Sequence, residues 1–570
     1  MFQYPLIQLA FSAPHVAVDF TIKMEKRFKL PLLTLKRASW LLASGKVTSE
    51  ELCTYCHNLA VAGEEQWQLN AFTRLIPLSE LLEYARASDD RRRRGGFVSP
   101  LEGIPVSIKA NLAIASQPLT AASGVLRDET PCGYDANVVS KLLNSGAIVL
   151  GINNMDEFAM GSLGTNVQRT LTASITRNPV PYIRHLKEDI PLDNDSRVVD
   201  TIRMPIDAII EAHADAFAKE DGNPIRSAGG SSCGSGASVA HGSSLASLGT
   251  DTGGSVRLPA AWCGVVGLKP SYGLLSRHGV VSYASSLDTV GILAPTVNCA
   301  TTVLNHLAQR GSDSRDSTAS FYDSSISFTT EGDGSQPLAG IKVGIPQAFS
   351  VAECPESIRV AWSNGARCLR AHGASVETIS TDAISPEMVR KSLAAYYVLA
   401  CAEASSNLSR YDGVRYGPTA SHTTESLTSD MTPLQTLYAA TRSQGFGPEV
   451  VRRILCGTSV LSSDRFHTHY EAAAKLRAAL TQQLHNALNQ VDVLLFPTAL
   501  MFSCSLDKLP DSTEMFANDV MTIPVSLAGL PAVSVPVVSD GHPGCIGLQV
   551  VGSRLDEGTL LEVAKVVERV

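Results

Sequence analysis

The chain has 570 residues, 44% of them hydrophobic and 18% charged, and its 55 acidic against 47 basic residues give a formal net charge of −8. That composition supplies a large buried core and excludes the basic stripe of a protein that grips nucleic acid by itself, so any RNA in its biology falls to a partner. The 12 cysteines stand singly apart from Cys53 and Cys56, which points to a reducing compartment, and no apolar run reaches the roughly 18 residues of a membrane-spanning helix.

Taken in order, residues 1–30 read as an N-terminal extension or targeting region. Their first 18 positions hold no acidic residue but also no arginine, a poor fit to an organellar presequence. Residues 31–570 read as one domain. Two helical patterns run from Thr34 to Leu59, the second opened by the capping box Thr48-Ser49-Glu50-Glu51. Cys53 and Cys56 fall inside it and read as packed helix cysteines, since no second pair completes a zinc site. Pro77–Ala87 has helical spacing, and Arg91–Arg94 before Gly95-Gly96 reads as an exposed loop. Ile104–Ile108 is a short apolar strand that delivers Lys109. A buried lysine loses its proton easily, because desolvation disfavours the ammonium. Val138–Leu143 is amphipathic, Ala147–Leu150 is a buried strand, and the adjacent Asp156 and Glu157 read as hydrogen-bonded structural carboxylates. Residues 180–226 are polar and charged, with one helix from Pro205 that puts Ile206, Ile209, Ile210, His213 and Phe217 on one face. This stretch reads as a surface insertion that builds no part of a pocket, or as a stretch that the functional protein lacks.

Residues 228–259 are the stretch around which the chain is organised. They open with Gly229-Gly230-Ser231-Ser232 and close with Asp251-Thr252-Gly253-Gly254-Ser255. Paired glycines let the backbone approach a ligand with its N–H groups unshielded. A serine beside such donors is what acyl transfer needs, a hydroxyl nucleophile next to an oxyanion hole. The small apolar interior suits a buried helix rather than a flexible linker. Gly230-Ser231-Ser232-Cys233-Gly234 formally matches a nucleophile elbow, but no strand pattern precedes it. Further on, 312–337 reads as a long polar loop. Ile341–Ile345, a helix near 357–372, Ser375–Ile379, Val491–Phe496, Ile546–Val551 and a closing helix from Glu557 then alternate as an α/β fold does.

Together with Gly103-Ile104-Pro105-Val106-Ser107-Ile108-Lys109, this stretch resembles the amidase signature family, and Ser231 and Ser255 stand at that family's spacing. The resemblance implies a mixed, twisted sheet flanked on both faces by helices. It also implies a Ser-Ser-Lys triad in which Ser255 is the nucleophile, Ser231 the bridging serine with a cis peptide bond, and Lys109 the base. Backbone N–H groups of Thr252, Gly253 and Gly254 form the oxyanion hole. The chain departs from the family at Cys233, where glycine is usual, and in the long gap between Arg177-Asn178-Pro179 and Gly229. Ala394–Asn407, Arg410–Gly417, Gly445–Ile454 and Asn518–Pro524 are similar to the A subunits of glutamyl-tRNA(Gln) amidotransferases within that family. By this resemblance an arginine of the pair Arg452 and Arg453 meets the α-carboxylate of free glutamine, Asp519 meets its α-ammonium, and Tyr396 or Tyr397 lies nearby. The implied activity is glutamine hydrolysis, supplying ammonia to convert Glu-tRNA(Gln) to Gln-tRNA(Gln) together with a B subunit plus a small C-type subunit. No metal or cofactor is implied for this chain. It has no G-x-x-x-x-G-K-[ST] loop, so ATP and Mg fall to the partner subunit. The implied location is the mitochondrial matrix in a eukaryote and the cytoplasm otherwise. Two alternatives stay open: a free-standing amidase acting on small aryl or acyl amides, and a catalytically impaired assembly subunit.

Overall fold

The computed structural model describes residues 30–31, 33–95, 99–166, 175–180, 187–188, 195–211, 225–308, 313–320, 336–420, 431–510, 514–515, 518–538 and 544–570. Its strands are Leu30–Pro31 (β1), Phe72–Leu75 (β2), Pro105–Lys109 (β3), Ile148–Asn153 (β4), Lys187–Glu188 (β5), Ser247–Asp251 (β6), Val266–Lys269 (β7), Thr289–Ala294 (β8), Lys342–Pro346 (β9), Ser375–Ile379 (β10), Val493–Pro497 (β11), Ala532–Val538 (β12) and Cys545–Gly552 (β13). Among the described residues, strands β1 and β5 pair with each other alone, and the remaining 11 form one sheet in the order β10-β9-β11-β13-β12-β7-β8-β6-β3-β4-β2. The sheet is mixed: β10, β9 and β11 run parallel, as do β6, β3 and β4, while the strands between them alternate in direction. Helices flank it, and this is the α/β architecture expected. Strands β3, β6, β7, β8 and β11 are buried at every residue, which explains why they read as unbroken apolar or small-residue runs rather than alternating ones.

Local signals set most element boundaries. The helix Ser49–Trp67 begins at the expected capping box: Glu51 N–H donates to Thr48 Oγ1 at 3.1 Å and Thr48 N–H to Glu51 Oε2 at 2.8 Å. Cys53 and Cys56 are buried within it as free thiols. The four arginines do not form a loop. Helix Leu78–Arg94 carries them as its last turn, where cationic side chains complement the partial negative charge of the helix C-terminus. Arg91 Nη2 pairs with Glu102 Oε1 at 2.6 Å.

The 180–226 stretch is more than a polar excursion. A helix that its composition does not announce, Asp195–Ile202, buries Val198, Val199 and Ile202, and Ile209 is buried in a helical stretch over 206–211, where a helix from Pro205 was expected. Asp195 pairs with Arg37 at 3.2 Å and Lys46 at 3.0 Å, and Arg203 with Glu51 at 2.7 Å. These bonds seat the segment on the first two helices, Leu35–Ala43 and Ser49–Trp67. His213, Phe217, residues 1–29 and most of 312–337 lie outside the described residues.

Two features of the sheet position the site. Strands β3 and β6 are adjacent and parallel, with Ser107 opposite Ser247 and Ile108 opposite Leu248. Lys109 ends β3 and Asp251 ends β6, so both strands deliver a charged residue to the same C-terminal edge, where open α/β sheets bind ligands. Between Ser231 and β6 runs the helix Cys233–His241, buried at every residue. It packs with Trp67, Ala260, Cys263 and Leu293, as its small apolar interior foretold.

Candidate active site

Lys109 is fully buried. Its Nζ lies 2.8 Å from Ser231 Oγ, 2.9 Å from Ser232 Oγ and 3.0 Å from Thr250 Oγ1. Asn111 Nδ2 donates to the same Thr250 hydroxyl at 3.0 Å, which fixes that partner. Burial lowers Lys109 to about 7, against the pull of Cys233, Asp156, Asp251 and Asp288. The amine is therefore ready to take a proton near neutrality. The peptide bond Gly230–Ser231 is cis. Ser232 N–H donates to the Ser255 carbonyl at 3.1 Å, so the two ends of the signature stretch are tied together. Ser232 and Thr250 were missed as lysine partners, although the doublet Ser231-Ser232 was the available signal. Cys233 is buried, and burial pushes its thiol up to about 12, so it stays a neutral packing residue.

The loop that presents Ser255 is held from below by a buried ion pair. Arg257 grips Asp251 with Nη2–Oδ1 at 2.9 Å and Nε–Oδ2 at 3.0 Å, both side chains fully buried. Arg257 also donates to the Thr522 carbonyl at 3.1 Å, Gln549 Oε1 at 3.2 Å and Ser526 Oγ at 2.7 Å. Asp251 Oδ2 in turn accepts the Val256 N–H at 3.1 Å. Burial alone would raise the Asp251 carboxyl, but Arg257 holds it below its usual range.

Above that clamp lies a small cleft lined by Ala159, Ser162, Gly253, Gly254, Ser255, Tyr396, Tyr397, Arg453 and Asp519 among others. Gly253 has to be glycine, since a Cβ there would sit 2.7 Å from the Tyr396 ring and hydroxyl. Gly253 and Gly254 wall the cleft. Thr252 is buried, its hydroxyl donating to Asp288 Oδ1 at 2.7 Å. Both tyrosines reach the cleft, where the sequence had left the choice open. Of the two arginines only Arg453 does. It is 8% exposed, whereas the Arg452 side chain is 68% exposed and turns to Glu449. Arg452 is thus excluded as a substrate contact, because its helix points it to solvent. Arg453 donates from Nε to Glu449 Oε1 at 2.7 Å and from Nη1 to the Tyr283 hydroxyl at 2.6 Å. Asp519 Oδ2 accepts from Tyr397 at 2.8 Å and from Ser162 at 3.4 Å. Burial raises the Asp519 carboxyl to about 6, against these bonds and Arg453.

Ser255, the two glycines before it and one side chain of each charge, Arg453 and Asp519, thus share one cleft. The chain matches the family model described as Amidase over residues 52–182 and 222–561, and it belongs to that family. The unmatched interval falls inside the stretch read as an insertion. The chain is 37% identical over 545 residues to the A subunit of the Chloroflexus aggregans glutamyl-tRNA(Gln) amidotransferase, covering 95% of this chain and 97% of that one. It is 39% identical over 517 residues to the corresponding protein of Rhizorhabdus wittichii, covering 90% and 91%. Among solved structures, the A subunit of the Thermotoga maritima glutamyl-tRNA(Gln) amidotransferase superposes with a TM-score of 0.67 at 28% identity over 94% of both chains.

The Lys109 environment sets a pH profile. With a small neutral amide, kcat/KM is expected to rise about tenfold per pH unit below about 7 and level off above it, as Lys109 loses its proton. With a substrate carrying an ammonium group the fall steepens below about 6, where Asp519 becomes neutral. A profile flat across this range would remove Lys109 from the base role.

Proposed function

We propose that this chain is the glutaminase subunit of a glutamyl-tRNA(Gln) amidotransferase. Ser255 Oγ attacks the side-chain amide carbon of glutamine, and its proton passes through Ser231 Oγ to neutral Lys109 Nζ. The N–H groups of the Thr252–Gly254 stretch hold the oxyanion, an effect worth about 2.7–4 kcal/mol per donor in such sites. The proton returns to the leaving nitrogen, ammonia departs, and water releases glutamate from Ser255. The ammonia goes to a B-type subunit, which activates Glu-tRNA(Gln) with ATP and Mg, with a small C-type subunit completing the complex. A mitochondrial matrix location in a eukaryotic source, or a cytoplasmic one otherwise, goes with this reading.

One observation carries it: Ser255 shares its cleft with Arg453 and Asp519, a guanidinium for an α-carboxylate and a carboxylate for an α-ammonium. A pocket for aryl or acyl amides needs neither charge. The test is ammonia release from glutamine by the chain alone and with a B-type partner. Asp519→Asn keeps the shape and one acceptor for Tyr397 but removes the charge. It is expected to cost roughly 1.5–3 kcal/mol of glutamine binding, read in KM, while turnover of a small neutral amide changes little. Equal losses on both substrates would make Asp519 a structural residue.

A further inference from the structure

A carboxylate outside the reacting set is bonded to residues that hold both ends of the cleft. Asp288 is 3% exposed. Its Oδ1 accepts the Thr252 hydroxyl at 2.7 Å, and its Oδ2 accepts the N–H groups of Tyr283 at 2.9 Å and Ala284 at 3.0 Å. Thr252 is the residue before Gly253-Gly254-Ser255. Tyr283 is buried, and its hydroxyl accepts from Arg453 Nη1 at 2.6 Å while the guanidinium lies 5.5 Å from the centre of its ring. An unbroken chain of covalent and hydrogen bonds therefore runs from the oxyanion loop through Asp288 to the Arg453 guanidinium. Both oxygens of Asp288 are engaged in opposite directions, so the carboxylate cannot turn or shift without moving one end relative to the other. Bonds to an ionised acceptor are shorter and stronger than neutral ones, and a fully satisfied buried network is stiff.

We propose that Asp288 is a positioning residue that holds the oxyanion loop and Arg453 in register, so that one side chain locates both the scissile carbonyl and the substrate's carboxylate. The carboxylate end of this statement rests on the glutamine reading.

The test uses the full chain, with its partner if turnover requires one, and reads two quantities. The first is the rate at which a small neutral p-nitrophenyl ester acylates Ser255 with release of p-nitrophenol, which reports the nucleophile loop alone. The second is KM for glutamine, which reports the Arg453 end. Thr252→Val should slow acylation about tenfold with KM little changed, and Thr252→Ser, which keeps the hydroxyl, should restore it. Tyr283→Phe should raise KM by a similar factor with acylation little changed. Asp288→Asn should do both at once, because the neutral amide removes the charge that strengthens the bonds at both ends and can meet the Thr252 hydroxyl only by reversing that bond or by turning an N–H toward the two N–H groups. An Asp288→Asn chain altered at one end only, or a Thr252→Ser chain as slow as Thr252→Val, overturns the proposal. If Asp288→Asn does not fold, Asp288→Glu, which keeps the charge but displaces the bonds at both ends, decides: acylation and KM that change together support the proposal, and a change in one alone refutes it. A wild-type chain that acylates at Ser255 yet leaves glutamine intact defeats the glutamine reading alone. Asp288 is then judged on the acylation rates of Asp288→Asn, Thr252→Val and Thr252→Ser.

Discussion

Ser255→Ala is expected to lower kcat for every amide substrate by a factor on the order of 10⁴–10⁶, the range over which serine hydrolases lose turnover with their nucleophile. The fold should be untouched. Ser255 sits on the cleft wall, and the contact that ties it to Ser232 uses its backbone carbonyl, which alanine keeps. Circular dichroism and the melting temperature should match the parent chain, while single-turnover release of ammonia disappears. An alanine variant that still turns over at a tenth of the parent rate or more would move the nucleophile elsewhere, with Ser231 and Ser232 the next hydroxyls to replace.

Arg257→Ala is expected to produce the largest loss of stability of any single change near the site, about 3–5 kcal/mol. The guanidinium makes two bonds to Asp251 and three more to Thr522, Gln549 and Ser526. Its removal strands a fully buried carboxylate and takes a charged donor from each of those acceptors. The Asp251 carboxyl, now without the charge that holds it low, should take up a proton. The Val256 N–H would then lose an ionised acceptor and the Ser255 loop its clamp. The denaturation midpoint in urea measures the first effect and kcat with saturating substrate the second. A loss below about 1 kcal/mol would show the pair to be replaceable by packing.

The site was legible wherever its residues are neighbours in sequence or stand at fixed spacings. Lys109 follows an apolar strand, and Ser231 and Ser255 bracket a run of small residues that reads as buried; their roles as base, bridging serine and nucleophile came from the family resemblance rather than from local pattern. The choice between Arg452 and Arg453 was legible too, but only through helix phase. Val450, Arg453 and Gly457 are the buried positions of the helix Pro448–Val460, spaced by three and four residues as one face requires. The bonds that position those groups left no trace. Thr252 and Asp288, Tyr283 and Arg453, and Asp251 with Ser526 meet only after the sheet has formed, and no local pattern encodes such pairings. The Arg91–Arg94 run misled because Gly95-Gly96 suggested a loop, whereas the helix continues to Arg94 and Glu102 receives Arg91. The helix Asp195–Ile202 misled in the opposite sense, since its three buried apolar side chains are diluted by charges that serve ion pairs.

The order of the strands bears on how the chain is made. β7 lies between β8, which follows it closely in sequence, and β12, which is built near the end of the chain, where Ala532 pairs with Lys269 and Ser534 with Gly267. During synthesis, therefore, one edge of an apolar strand in the middle of the final sheet stays open until the last tens of residues emerge. An unpaired apolar edge is a template for the wrong neighbour, and long-lived partly folded species associate through such edges. The nascent chain thus carries, for roughly half of its translation, a need for protection that the finished enzyme no longer shows.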